Sequence, residues 1–489
     1  MKKKHWILLG AITLLALALR LYGLETRDLW YDEAFSFFLS EQSLPDIVSG
    51  TAADTEPPLY YFLLHFWLNL GQTPFTLRLL SVLLSMGIVL VVFDLTRRLA
   101  GNSAGLWAAL LTAISPFQIY HAQEMRMYGL LALTQISYYW IFVRLQNHEK
   151  PNKALWLWAG LVIAGTAAMY SQSLAIFGLV LPDIYLLLKR DWRRLRNLVI
   201  AQAAILILSI PWLIHVPGQI QKIQTAFYTP VPGFIEVFQA VLQTHAFMPL
   251  EGWLLTIAAV LSLQCMVMVS LEAHKARNLG SISFTVLLWL GLPALLFSAS
   301  YLMRPVFVPR GFITAMLGYF ILAGWIIALS WKKGIGLIVA STFIILAAIS
   351  LPSYYSFSEF PRSEFRIAAQ YLMENAADDL IVHDNKLSYF PAHFYDPDLD
   401  QVFLPDEPGS HNDTYALASQ QAIELFPADS LEDAVSEEDT VWFVVFSRAI
   451  EEYKGAGELT HPVLAELDKR YRLDQHNYFG DLEIYTFRR

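Results

Sequence analysis

Apolar runs of about twenty residues recur through the first 350 positions, and each is long enough to cross a bilayer as a helix. A chain with so many such runs can satisfy its backbone in lipid only as a bundle of helices. The reading places eleven spans, at 6–24, 76–96, 104–119, 127–146, 154–170, 172–188, 197–214, 253–271, 281–300, 311–330 and 334–351. The basic residues Lys2 to Lys4, Arg97 and Arg98, Lys150 and Lys153, "KRDWRRLR" at 189–196, Lys275 and Arg277, and Lys332 and Lys333 then fall on alternate sides. The positive-inside rule makes that side cytoplasmic. The N-terminus combines "MKKK", an apolar stretch and a small-residue "ALA", as a signal peptide does, but apolar residues continue to Leu24 and further spans follow, so an uncleaved anchor is expected.

Charge divides the chain at the last span. Residues 353–489 hold 27 acids against 10 Lys and Arg, a net −17, whereas the preceding part is +8. An acidic tail repels phosphate, and the bases of the body sit at segment ends, so no nucleic-acid footprint exists. Two units are expected: 1–352 in the membrane and 353–489 as a small α/β domain on the extracytoplasmic side. The tail offers a helical pattern, "SEFRIAAQYLMENA", and apolar strand-like runs "DLIVHD", "TVWFVVFS" and "LEIYTFRR". No glycine-rich phosphate loop follows these strands. Cys265 is the only cysteine and lies in an apolar run, which excludes internal disulfides and a cysteine metal site.

The segments with chemical content all fall on the expected outer side. Between the first two spans, "EAFSFFLSE" and "PPLYYFLLHFWLNL" are short amphipathic stretches, expected as helices lying in the interface. Asp32 and Glu33 directly follow the first span, Asp54 and Glu56 precede Pro57 and Pro58, and Glu124 lies in a third outer segment. Ionisable groups at membrane level are costly and mark functional paths, so these acids suggest one cavity floored by the bilayer. Asp32 is the choice for a base that takes the proton of a hydroxyl acceptor. The competing reading of Glu33 is an acid favoured at a helix N-terminus, and that of Asp54 a turn or cap residue before Pro57. Glu56 and Asp54, with Glu124, are candidates for acceptor or cation binding.

In "YHAQEMRMYGLL" a continuous helix would put His121, Glu124 and Tyr128 on one face, with Arg126 turned away from Glu124; an interfacial belt of Tyr and Arg is the competing reading. Arg304 and Arg310 flank the stiff "PVFVP", and an arginine fork suits the oxygens of a phosphate. Arg126 and the weaker Lys222 join them as candidates for binding a lipid phosphate, against headgroup anchoring. Tyr31, His121 and Tyr128 are supporting residues of the same site.

With those residues in view, "DLWYDEAFS", "EPPLYYFLLHFW", "LRLLSVLLSM" and "SPFQIYHAQEMRMYGLL" closely resemble bacterial membrane glycosyltransferases of the GT-C fold, the class of protein O-mannosyltransferases and lipid A aminoarabinose transferases. The strong resemblance covers residues 1 to about 150, with weaker support from "RPVFVPRGFI" and the tail. It implies an inverting transferase in the plasma membrane that moves a sugar from a polyprenyl-phosphate donor to a glycan, lipid or protein hydroxyl. It also implies Asp32 as base and Glu33 as a residue shaping the site. Many relatives carry His or Lys immediately before the two prolines, where this chain has Glu56, which leaves cation binding open there. Some relatives use a divalent metal and others do not; Mg, Mn or Zn would be held here by Glu33, Glu56 and Glu124. The rival classes are a transporter or flippase of lipid-linked sugar, which would place ionisable groups midway along several spans, and a non-catalytic receptor or assembly factor that binds through the tail.

Overall fold

The computed structural model describes residues 2–148, 154–225, 229, 231–247, 250–276, 279–303, 305–376, 378–410 and 413–489. The chain begins with α1 (Lys3–Leu21) and three short helices, α2 (Tyr31–Glu41), α3 (Leu44–Ala53) and α4 (Leu59–Trp67). The two amphipathic stretches expected between the first spans are α2 and α4. Between them α3 forms because the Ser43 side chain caps the Asp46 N–H and Pro45 suits a first turn.

The long helix α5 (Pro74–Ala100) starts with Pro74 behind a capping Thr73, and ends at Gly101, whose φ of 89° only glycine adopts freely. Its 27 residues span about 40 Å, enough to cross a bilayer with some tilt. There follow α6 (Asn102–Ile114), α7 (Pro116–Ala122), α8 (Tyr128–Gln146), α9 (Leu155–Ser171), α10 (Ala175–Leu179), α11 (Leu181–Leu188) and α12 (Trp192–Leu213). After α13 (Val216–Thr225) and α14 (Phe234–His245) come α15 (Gly252–Lys275), α16 (Leu279–Leu302), α17 (Ile313–Ser330) and α18 (Ile335–Ser356).

The protein is a multi-pass membrane protein. Seven of the expected spans coincide with helices long and apolar enough to cross a membrane, among the described residues. The other four fall on α6, α8, α9 and the α10–α11 pair, which are shorter or less apolar. The expected span 104–119 is divided, because Ser115 precedes Pro116 and takes an extended conformation with ψ of 120°. The expected span 172–188 is divided too, at Val180 before Pro182.

Helix α17 is apolar on every side and forms the centre of the bundle, packed on α6, α16 and α18. Small residues permit this: a Cβ on Gly324 would stand 2.5 Å from the Ala108 amide nitrogen, and one on Gly318 2.9 Å from the Leu288 backbone.

After α18 the chain forms a five-stranded sheet of order β2-β1-β3-β5-β4, from β1 (Leu380–His383), β2 (Gln401–Phe403), β3 (Thr440–Phe446), β4 (Arg472–Phe479) and β5 (Leu482–Arg488). Strand β1 lies parallel between β2 and β3, with Ile381 opposite Gln401 and Trp442; β5 is antiparallel to β3 and β4. The three apolar runs of the tail are thus strands β1, β3 and β5. The expected helix is α19 (Phe365–Asn375). Strand β4 escapes an apolar-pattern reading because it is an exposed edge with polar residues such as Asp474 and Gln475.

Both faces of the sheet are covered. Ile381, Trp442, Val444 and Ile484 pack on Phe365, Ala368 and Leu372, while Val382, Phe443 and Val445 pack on Leu464 and Leu467. A third cluster joins the tail to the first loop. Phe390 of α20 (Lys386–Tyr395), Phe403, Tyr415 and Ile423 of α21 (Leu417–Ile423) bury Phe35, Leu39, Ile47 and Tyr61. The tail therefore sits directly on α2 to α4.

Candidate active site

Two adjacent acids open α2, and a helix turns about 100° per residue, so their side chains leave in different directions. Glu33 points inward and is fully buried. It accepts from Arg78 Nε at 2.8 Å and Nη2 at 2.7 Å, from the Met125 N–H at 2.9 Å and from Arg362 Nη1 at 2.5 Å. Burial pushes its carboxyl up, but Arg362 and Arg78 outweigh it and hold the group down to about 2. Glu33 is an anchor between the first loop, α5 and the tail, and does not line the cavity.

Asp32 points the other way, into a cavity of about 670 Å³. Its Oδ2 lies 3.8 Å from Arg126 Nε. The Arg126 Nη1 donates to Ser36 Oγ and Tyr61 OH, both at 3.3 Å. Asp54, Glu56, Tyr128 and Arg310 share the cavity, with the Arg310 guanidinium 5.9 Å from the Tyr128 ring centroid. Glu56 accepts from Gln172 Nε2 at 2.9 Å. Burial, reinforced by Asp54 and Asp32 and opposed by Arg126 and Arg310, raises its carboxyl to about 7.

Lining residues divide by chemistry. Arg126 and Arg310 form a cationic part, Leu174, Phe177, Leu302 and Val306 an apolar flank, and Tyr31, Phe35 and Tyr415 an aromatic wall. Leu302, Met303 and Ile176 on that flank are exposed. Tyr31 stands 5.2 Å from Phe390, and Tyr415 5.3 Å from the same ring, so the wall is built jointly by α2 and the tail.

The expected continuous helix through "YHAQEMRMYGLL" does not form. Helix α7 ends at Ala122, and the chain bends through 123–127 before α8 begins. His121 and Glu124 still meet, Nδ1 to Oε2 at 2.9 Å, and the His121 ring lies 4.9 Å from Tyr128. That pair is buried behind the cavity, and Arg126 rather than Glu124 lines it. Arg304 and the side chain of Lys222 lie outside the described residues.

The three acids expected around a divalent ion do not converge. The oxygens of Glu33 are taken by arginines, Glu124 holds His121 and Glu56 holds Gln172. Among the described residues no group of three or more His, Cys, Asp or Glu gathers to hold a metal. The donor set at Glu33, Glu56 and Glu124 thus does not fit a shared cation.

Several site residues escaped the sequence reading. Arg78 carries a legible signal, since an arginine just inside an apolar span must find a partner. Gln172 and Tyr415, both lining the cavity, and Arg362 carry none; only the folded chain brings them to α2.

ArnT from Cupriavidus metallidurans in the apo state matches with TM-score 0.68 at 12% identity, over 99% of this chain and 98% of that one. The chain has the GT-C fold. The same ArnT bound to undecaprenyl phosphate matches with TM-score 0.65 at 13% identity, covering 99% and 98%. The oligosaccharyltransferase AglB from Archaeoglobus fulgidus, in complex with an inhibitory peptide and a dolichol-phosphate, matches with TM-score 0.56 at 15% identity, covering 99% of this chain and 74% of that one. Another structure of the Archaeoglobus oligosaccharyltransferase is a complex with Zn and sulfate. Residues 55–215 match the family described as dolichyl-phosphate-mannose-protein mannosyltransferase, a stretch that holds Glu56, Arg126 and Gln172 of this GT-C cavity. No curated protein matches the chain by sequence.

Proposed function

We propose that this GT-C protein is an inverting glycosyltransferase that moves a sugar from a polyprenyl-phosphate donor to a hydroxyl acceptor on the outer face of the plasma membrane. The observation that carries the reading is a cavity in which the Asp32 carboxylate lies 3.8 Å from Arg126, with Arg310 among the lining residues and an exposed apolar flank beside them. The ArnT and AglB structures that share the fold contain undecaprenyl phosphate and dolichol-phosphate.

On this reading the prenyl chain lies along Leu174, Phe177, Leu302 and Val306, and the phosphate faces Arg126 and Arg310. Asp32 takes the acceptor proton as the acceptor oxygen attacks the anomeric carbon. The bond from that carbon to the phosphate oxygen breaks, and the two arginines stabilise the charge that develops on the leaving phosphate. Attack opposite the leaving group inverts the anomeric centre. The acceptor approaches from the aromatic wall of Tyr31, Phe35 and Tyr415, and the net acidity of the tail disfavours an anionic polymer there. Exclusion of water by the tail above the cavity limits hydrolysis of the donor. The basic residues at the opposite helix ends support a cytoplasmic N-terminus and an extracytoplasmic tail.

Membranes containing wild type or Asp32→Asn, supplied with radiolabelled polyprenyl-phosphate sugars, test the reading through loss of label from the lipid fraction. Transfer by wild type alone is expected. Equal transfer by both, or by neither when both are folded, rejects it, and the second result redirects attention to lipid-linked sugar transport.

A further inference from the structure

Glu33 is held by two arginines from distant parts of the chain. Arg78 alone grips both its oxygens in a bidentate pair that balances the charge. A second arginine, Arg362, is nevertheless brought to 2.5 Å from Oε2 out of the segment between α18 and α19. Its guanidinium is buried, and its Nε and Nη2 make no hydrogen bond among the described residues. Its charge is nonetheless favoured in place: Glu33, with Glu124 nearby, outweighs the cost of burial, and the guanidinium lies 5.8 Å from the Trp30 ring and 6.0 Å from the Tyr120 ring.

What Arg362 does achieve is a connection between the tail and the turn that carries Asp32. The same Nη1 donates to the Asp28 carbonyl at 3.3 Å. Beside it the Asp28 carboxylate accepts from the Arg366 N–H at 2.9 Å and from Tyr395 OH at 3.2 Å, and Tyr395 OH in turn accepts from the Leu29 N–H at 3.0 Å. The backbone from Asp28 to Glu33 is thus tied at both ends to residues that follow the last span. Asp32 lies inside that tie.

We infer that Arg362 is a positioning residue: through Glu33 it sets the placement of the Asp32 carboxylate in the cavity, so that Arg362 governs the chemical step without itself lining the cavity. This rests on the reading of Asp32 as base. A misplacement of about 1 Å at a reacting group costs about a hundredfold in rate.

The test compares purified full-length wild type, Arg362→Gln, Arg362→Lys and Asp32→Asn, using whichever polyprenyl-phosphate sugar wild type consumes. Arg362→Gln is expected to keep the donor KM and lose kcat by about a hundredfold, with Arg362→Lys recovering part of it. Deuterium uptake in peptides covering 28–41 should rise in Arg362→Gln and stay at the wild-type level in Asp32→Asn. Wild-type kcat and uptake in Arg362→Gln overturn the inference, as does a raised KM at unchanged kcat. Failure of both Arg362 variants to accumulate as folded protein also overturns it, by making Arg362 a residue of the fold alone. If wild type moves no sugar, the transferase reading fails by itself, and the uptake at 28–41 still decides whether Arg362 holds the turn.

Discussion

Replacing Asp32 by Asn keeps the size of the side chain and removes its ability to accept a proton, so transfer is expected to fall by about 10²–10⁴ while the protein remains monodisperse in detergent. Glu33→Ala is expected to act differently, because it strands two buried arginines. A loss of about 3–5 kcal/mol is expected, read as a lower thermal midpoint, since breaking a buried ion pair leaves uncompensated charge. Glu56 supplies a pH signature. Its carboxyl moves from 4.5 to about 7, so the folded state holds the proton more tightly than the unfolded one. The stability this contributes is complete below 4.5 and is lost as pH rises through about 7. Thermal scans of wild type across that window should show the fall, and Glu56→Gln should flatten it. The sequence singles out Asp32, Glu56, Arg126 and Arg310 as candidates from acids, arginines and prolines beside apolar runs, and the fold brings these four to one cavity. That Asp32 and Glu33 part company is not legible in the sequence, because the outcome depends on Arg78 and Arg362, distant by 45 and 329 residues from Glu33.

Among the elements, α17 and α6 approach each other through glycine, so that their backbones leave no room for a side chain at that contact. Gly324→Ala would drive a Cβ to 2.5 Å from the Ala108 nitrogen and is expected to cost at least about 1–3 kcal/mol. Gly10→Ala, with nothing within 4 Å of the new Cβ, is the matched control and should be neutral. Thermal midpoints of the two variants in one detergent check the contrast. Apolar length marks α5, α15, α17 and α18 clearly, since each is a long run between charged or glycine ends. The breaks at Ser115 and Val180 also have local causes: Ser115 directly precedes Pro116 and is extended, and Pro182, which has no backbone donor, stands in the first turn after Val180. The bend at 123–127 has no such residue, and tertiary contacts rather than propensity interrupt that helix: Gln123 Nε2 donates to the Arg20 and Tyr22 carbonyls, and the Met125 N–H to Glu33.

At the scale of the molecule, the tail is part of the cavity wall and of the support beneath it. Truncation after Ser356 would expose Phe35, Leu39 and Ile47 and remove Arg362, Arg366 and Tyr395 from the first loop. The truncated protein is expected to aggregate on extraction, a result size-exclusion chromatography would show; a monodisperse, active product would mean that the membrane core is self-sufficient. The repeated apolar runs and the acidic tail by themselves determined a helical membrane bundle with an α/β appendage, because periodicity and hydropathy are local properties of a chain. Only the tertiary structure decided which acids and arginines share a cavity, that Glu33 is an anchor and that no common cation site forms at Glu33, Glu56 and Glu124. Those outcomes depend on the directions of side chains and on partners hundreds of residues away, and neither is encoded in any single stretch of sequence.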